Sequence, residues 1–155
     1  IKKNQLARAL RIDKLNLAAL EATLRLYLDD RAAEKIPTLE MLTMPLAEIK
    51  AKAGKLSRSL KKVIGDRGIV EIREGMSAAG GGALPMAPLP TFLVSLEIRG
   101  ISADLLVARL RRASPPLLAR VQQNRLLLDP RTILPPELAI IPELLSGVLE
   151  NDCVI

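Results

Sequence analysis

The hydrophobic pattern changes period at Gly65, and that change limits the fold more than any other feature of the chain. Before it, Leu46, Ile49, Ala53, Leu56, Leu60 and Val63 recur at alternating intervals of three and four, a one-faced helical stripe. Pro45 opens this helix where a missing N–H costs nothing, and Gly65 stops it. Lys50, Lys52, Lys55, Arg58, Lys61 and Lys62 cover much of the remaining surface. After it, Gly68 to Glu74 alternates, with Ile69, Glu71 and Arg73 on one side and Val70 and Ile72 on the other, which is a strand. Helices followed by strands in one chain predict an α+β architecture.

The flanking segments fill in the order. Lys2 to about Ile12 reads as a helix with Leu6 and Leu10 on one face and Arg8 and Arg11 on another. Asp13 is placed to cap a second helix, about Leu15 to Leu28, striped by Leu17, Leu20, Leu24 and Tyr27. Asp29-Asp30 is a solvated turn, and Pro37 to Met44 reads as a connector. Met76 to Pro90 is a Gly/Ala/Pro-rich loop containing Gly80, Gly81 and Gly82. Thr91 to Ile98 is a second strand with Phe92, Val94, Leu96 and Ile98 on one face. Ser102 caps a helix to about Arg112, and Leu117–Val121 with Arg125–Asp129 reads as a hairpin. Pro135-Pro136 precedes a terminal helix over Pro142–Glu150. The expected assembly is a helical arm, residues 1–65, feeding a small α+β domain, residues 66–155, with a mostly antiparallel sheet and helices on one face.

Composition excludes several chemistries. Aromatic residues number two, Tyr27 and Phe92, so the core is aliphatic. Histidine is absent, which removes the commonest general base and the commonest metal ligand, and no metal site is expected. The single cysteine, Cys153, can form no internal disulfide and reads as a spectator rather than a reactive thiol; a reducing, cytoplasmic setting fits. No apolar run is long enough to span a bilayer. The net charge of +6 is uneven: residues 1–65 hold 14 Lys/Arg against 7 Asp/Glu, residues 66–155 hold 9 against 10. A basic half of this kind suits either a polyanion such as RNA or a solvated helical surface.

Candidate functional residues are few. The triple glycine is not a phosphate loop, since no Gly-Lys-Ser/Thr follows it; it reads as a mobile loop or as one lying beside a substrate. Arg8 and Arg11, three apart, form a guanidinium fork for phosphate or carboxylate.

The run Asn4-Gln5-Leu6-Ala7-Arg8-Ala9-Leu10-Arg11-Ile12-Asp13-Lys14-Leu15, continued by Ala18-Ala19-Leu20-Glu21-Ala22-Thr23-Leu24-Arg25-Leu26-Tyr27, resembles bacterial selenocysteine synthase, the L-seryl-tRNA(Sec) selenium transferase family. Ile36-Pro37-Thr38-Leu39, Met41-Leu42, Gly80-Gly81-Gly82-Ala83-Leu84-Pro85 and Leu126-Leu127-Leu128-Asp129-Pro130-Arg131-Thr132 are similar as well. The family commonly has a small polar residue where Ala83 stands. The resemblance implies a fold-type-I pyridoxal-phosphate (PLP) enzyme, of which this chain is the connecting helices and the small C-terminal domain. It implies a parent that replaces the hydroxyl of seryl-tRNA(Sec) with selenium from selenophosphate, and that forms a cytoplasmic homo-oligomer. It places Arg8 and Arg11 on the anionic selenium donor, and Gly80, Gly81 and Gly82 in a possible active-site loop.

The PLP lysine motif is absent, and Lys14 lies downstream of its expected place, so this chain is expected to hold no covalent PLP and to turn nothing over. Leu6, Leu10, Leu17 and Leu24 are expected to expose an apolar face that drives association. Two other readings remain: a non-catalytic basic α+β module that binds RNA through phosphates, and a paralogous PLP enzyme with a different substrate.

Overall fold

The computed structural model describes Leu6, residues 11–79 and residues 89–150. The chain divides into two compact units, residues 1–43 and 44–155. The sequence reading placed residues 1–65 together as an arm; the long helix striped by Leu46 to Val63 lies instead in the second unit, because that stripe covers the sheet.

In the first unit, helix α1 (Lys14–Leu28) starts at Asp13, whose carboxylate accepts from the Leu15 and Asn16 amides at 2.9 and 3.0 Å. These bonds satisfy two of the amides that the first turn leaves open, and they hold the Asp13 carboxyl below its ordinary value. The Asp29 amide returns to the Arg25 carbonyl, and Asp30 follows with φ +54°, so the acidic pair forms a turn as expected. No residue of α1 is buried. The expected connector at 37–44 is largely helical. Two short helices, α2 (Ala32–Lys35) and α3 (Pro37–Thr43), meet at Ile36, whose extended backbone is what a following proline demands. Pro37 then occupies the first helical position.

The second unit begins with helix α4 (Leu46–Ile64). Pro45 caps it from one position outside, and its carbonyl accepts from Glu48 and Ile49. Ile49, Ala53, Leu56, Leu60 and Ile64 are buried, each large side chain contributing about 1.5–3 kcal/mol. Val63 is half-buried and Ile64 takes its expected place in the stripe. Gly65 closes the helix at φ +54°.

Strands β1 (Gly68–Ser77) and β2 (Leu89–Ile98) pair antiparallel along their whole length, from Gly68 opposite Ile98 to Ser77 opposite Leu89. Both run further into the expected loop than alternation alone indicated. Helix α5 (Ala103–Arg111) is capped by Ser102, whose Oγ accepts from the Leu105 amide. A tight hairpin follows, β3 (Arg120–Gln122) and β4 (Arg125–Leu128), joined by Gln123 and Asn124 at φ +52° and +56°. Two left-handed residues in a two-residue loop match the twist of the flanking strands. The described sheet is antiparallel throughout, in the order β1-β2-β4-β3.

Helix α6 (Glu137–Glu150) starts five residues before the expected Pro142. Glu137 reaches back to the Leu134 amide at 2.7 Å. Pro142 is tolerated inside the helix, at the cost of the bond to the Leu138 carbonyl, because Ile141, Leu145, Val148 and Leu149 bury around it. Val94, Leu96 and Ile98 of β2 point to one side and share a single core with α4, α5, α6, Leu126 and Leu128. The described helices of this unit therefore cover one sheet face, as expected. No described helix is long and apolar enough to cross a membrane.

Candidate functional site

Arg8, Gly80, Gly81, Gly82 and Cys153 lie outside the described residues. Arg11 is exposed and sits just before the Asp13 cap, beyond any described helix, so the proposed fork is represented by one of its two members. The feet of the glycine loop are described, and they are tied together.

That tie is centred on Asp129. The carboxylate accepts from the Thr91 hydroxyl at 2.9 Å, from the Ser77 hydroxyl, and from the Arg131 amide at 3.0 Å. Ser77 ends β1 and Thr91 is the third residue of β2, so one carboxylate holds both strands close to where the loop departs and returns. Arg131, 6% exposed, donates from Nη2 to the Pro90 carbonyl at 2.6 Å. Pro130 to Thr132 forms a single 3-10 turn that delivers Arg131 to this position. Lys52 of α4 secures the next residues by donating to the Ile133 carbonyl at 2.7 Å. The run Leu126–Thr132 stood out in the sequence, but nothing in it distinguished Asp129. Its hydroxyl partners are 38 and 52 residues away, a separation that no local pattern reveals.

The sheet face turned away from the helices carries a second network. Glu71 accepts from Arg73 at 3.0 and 3.2 Å and from Arg125 at 2.6 Å, and Arg125 also reaches Glu97 at 3.0 Å. The hydrogen bonds from Arg73 and Arg125 hold the Glu71 carboxyl below its ordinary value. Alternation had placed Glu71 and Arg73 on one side of β1; Arg125 arrives through the pairing of β4 with β2.

These groups bind and brace; they assemble no nucleophile with a base. No three His, Cys, Asp or Glu among the described residues are grouped for a metal ion. A PLP site needs a lysine facing a cavity. Four cavities among the described residues, lined in turn by residues such as Arg109, Gln122, Phe92 and Leu118, have no lysine on their walls. None of these four cavities offers a lysine for a Schiff base with PLP.

The sequence model of L-seryl-tRNA selenium transferase matches residues 1–134. The chain belongs to this family. A selenium transferase of Solidesulfovibrio magneticus, named L-seryl-tRNA(Sec) selenium transferase, is 50% identical over 155 residues, covering 98% of this chain. Relatives of the same name from Desulfomicrobium baculatum and Moorella thermoacetica are 45% and 49% identical, covering 96% and 85% of it. The chain spans about a third of the length of these selenium transferases, 33%, 32% and 28% in turn. Family membership thus rests on matches across nearly the whole chain, while each relative has a further two thirds without a counterpart here.

Proposed function

We propose that this chain is the C-terminal part of a PLP-dependent L-seryl-tRNA(Sec) selenium transferase, which converts seryl-tRNA(Sec) to selenocysteinyl-tRNA(Sec) with selenophosphate. The observation that carries the reading is the family match over residues 1–134 together with relatives of that name at 45–50% identity. The PLP lysine belongs to the remaining part of the parent, which adopts the fold-type-I architecture, works in the cytoplasm and assembles as a homo-oligomer. PLP supplies the electron sink for loss of the seryl hydroxyl. Within this chain, Arg8 and Arg11 hold the anionic selenium donor, and the loop containing Gly80, Gly81 and Gly82 lies beside the substrate. The Asp129 tie fixes both feet of that loop, so that its reach is set by the sheet.

The test is the full-length protein containing this chain, supplied with seryl-tRNA(Sec) and selenophosphate. Formation of selenocysteinyl-tRNA(Sec) is expected, with Arg8→Ala and Arg11→Ala raising KM for selenophosphate more than for the tRNA. A full-length protein that binds PLP but converts a different substrate would replace this reading with the paralogue. The isolated chain should show no cofactor absorbance; a stoichiometric absorbance would contradict the placement of the lysine.

A further inference from the structure

A cleft of about 580 Å³ opens where the turn after α4, the end of β2 and helix α5 meet. Arg67, Arg99 and Arg109 line it, and Asp66 is the one carboxylate among its described lining residues. The three arginines converge for structural reasons. Gly65–Arg67 is a 3-10 turn that ends α4, and the Arg99 amide donates to the Arg67 carbonyl at 2.8 Å, which sets these two residues side by side. Gly100, at φ +80°, then reverses the chain into α5, whose last turn carries Arg109. Ile101 and Leu105 supply an apolar wall. Arg67 spends part of its fork on the Val63 carbonyl, at 2.9 Å, and keeps further N–H groups. Residues 66–155 hold fewer Lys/Arg than Asp/Glu, 9 against 10, so three arginines with one carboxylate among the described lining residues is a local concentration and no reflection of general basicity.

We propose that this cleft binds the phosphodiester backbone of an RNA. Guanidinium forks match phosphate oxygens bidentately, and the cleft is far larger than one phosphate requires. No aromatic residue lines it, so recognition is chiefly of phosphate and ribose and not of bases stacked on aromatic rings. The choice of RNA over another polyanion rests on the selenium transferase reading; the arginine cluster itself does not. The cleft is distinct from the lysine-rich surface of α4.

The experiment is fluorescence anisotropy of the 155-residue chain with a labelled tRNA transcript across a salt series. Arg99→Glu is the main variant, since Arg99 is exposed, and Arg109→Gln is a second. Lys55→Glu, exposed on α4 and outside the cleft, is the control, with circular dichroism to verify folding. Arg99→Glu should weaken binding about tenfold or more and flatten the dependence of log K on log salt by roughly 0.7–0.9, one phosphate contact. Lys55→Glu should do much less. Absence of RNA binding at low salt, equal losses in Arg99→Glu and the Lys55→Glu control, or capture of polyglutamate in preference to RNA would each overturn the proposal. In the full-length protein the two readings separate. Selenium transfer with an unchanged tRNA KM in Arg99→Glu removes the cleft alone. Arginine-dependent RNA binding without selenium transfer removes the enzymatic reading alone.

Discussion

Asp129 and Glu71 are both carboxylates on the sheet, yet they stabilise it differently. Asp129 bonds two hydroxyls and an amide, and Thr91 is 2% exposed. Asp129→Ala leaves those donors without an acceptor and is expected to cost about 1–3 kcal/mol in urea unfolding. Asn at this position keeps one acceptor oxygen and should cost less; a neutral Ala variant would show that the tie contributes nothing. Glu71 is exposed, and its contribution depends on pH. Its carboxyl sits below the ordinary value of 4.5 when folded, so the stabilisation is present above that pH and is lost as pH falls through the lower folded value. The stability gap between the wild type and Glu71→Gln should therefore be constant near neutrality and close in acid. A gap that persists well below pH 4.5 would remove Arg73 and Arg125 as its cause.

At the level of elements, the join between α4 and β1 leaves no room for a side chain. A Cβ on Gly68 would fall on the Glu97 carbonyl oxygen and press on Ile64 and Ile98, so backbone must move. Gly68→Ala is expected to destabilise by about 1–3 kcal/mol in thermal or urea unfolding, and an unchanged midpoint would contradict the close approach. The elements that were legible in the sequence are those whose signals are local. Asp13 and Ser102 cap helices through amides two or three residues on, and α4 announces itself by its stripe. Alternation also put Val94, Leu96 and Ile98 on the core face. The misses share a cause. The ends of β1 and β2 are extended by pairing with each other, and α6 continues through Pro142 because tertiary burial outweighs one lost hydrogen bond. The Asp129 tie and the arginine cleft were invisible for the same reason, since both join residues brought together only by the folded sheet.

On the scale of the molecule, α1 leaves an apolar surface uncovered. Leu17 and Leu24 are each 53% exposed, as their spacing led one to expect; Leu6, ahead of α1, is 64% exposed, and Leu10 lies outside the described residues. Leu20 and Leu28 add to this surface. Light scattering at high concentration should find a dimer or larger species, and Leu17→Glu with Leu24→Glu should shift it towards monomer. A wild-type chain that stays monomeric would leave that surface without a self-association role.

The scarcity of aromatic side chains has an optical consequence. Tyr27, half exposed on α1, is the one tyrosine in a chain without tryptophan, and it belongs to the unit of residues 1–43. The sheet unit has Phe92 alone, with the Lys50 ammonium 5.1 Å from the ring centre. Intrinsic tyrosine emission therefore reports on the helical unit and is blind to the sheet. Quenching by iodide or caesium would follow the burial of α1 against any partner without a label, while backbone circular dichroism follows the rest.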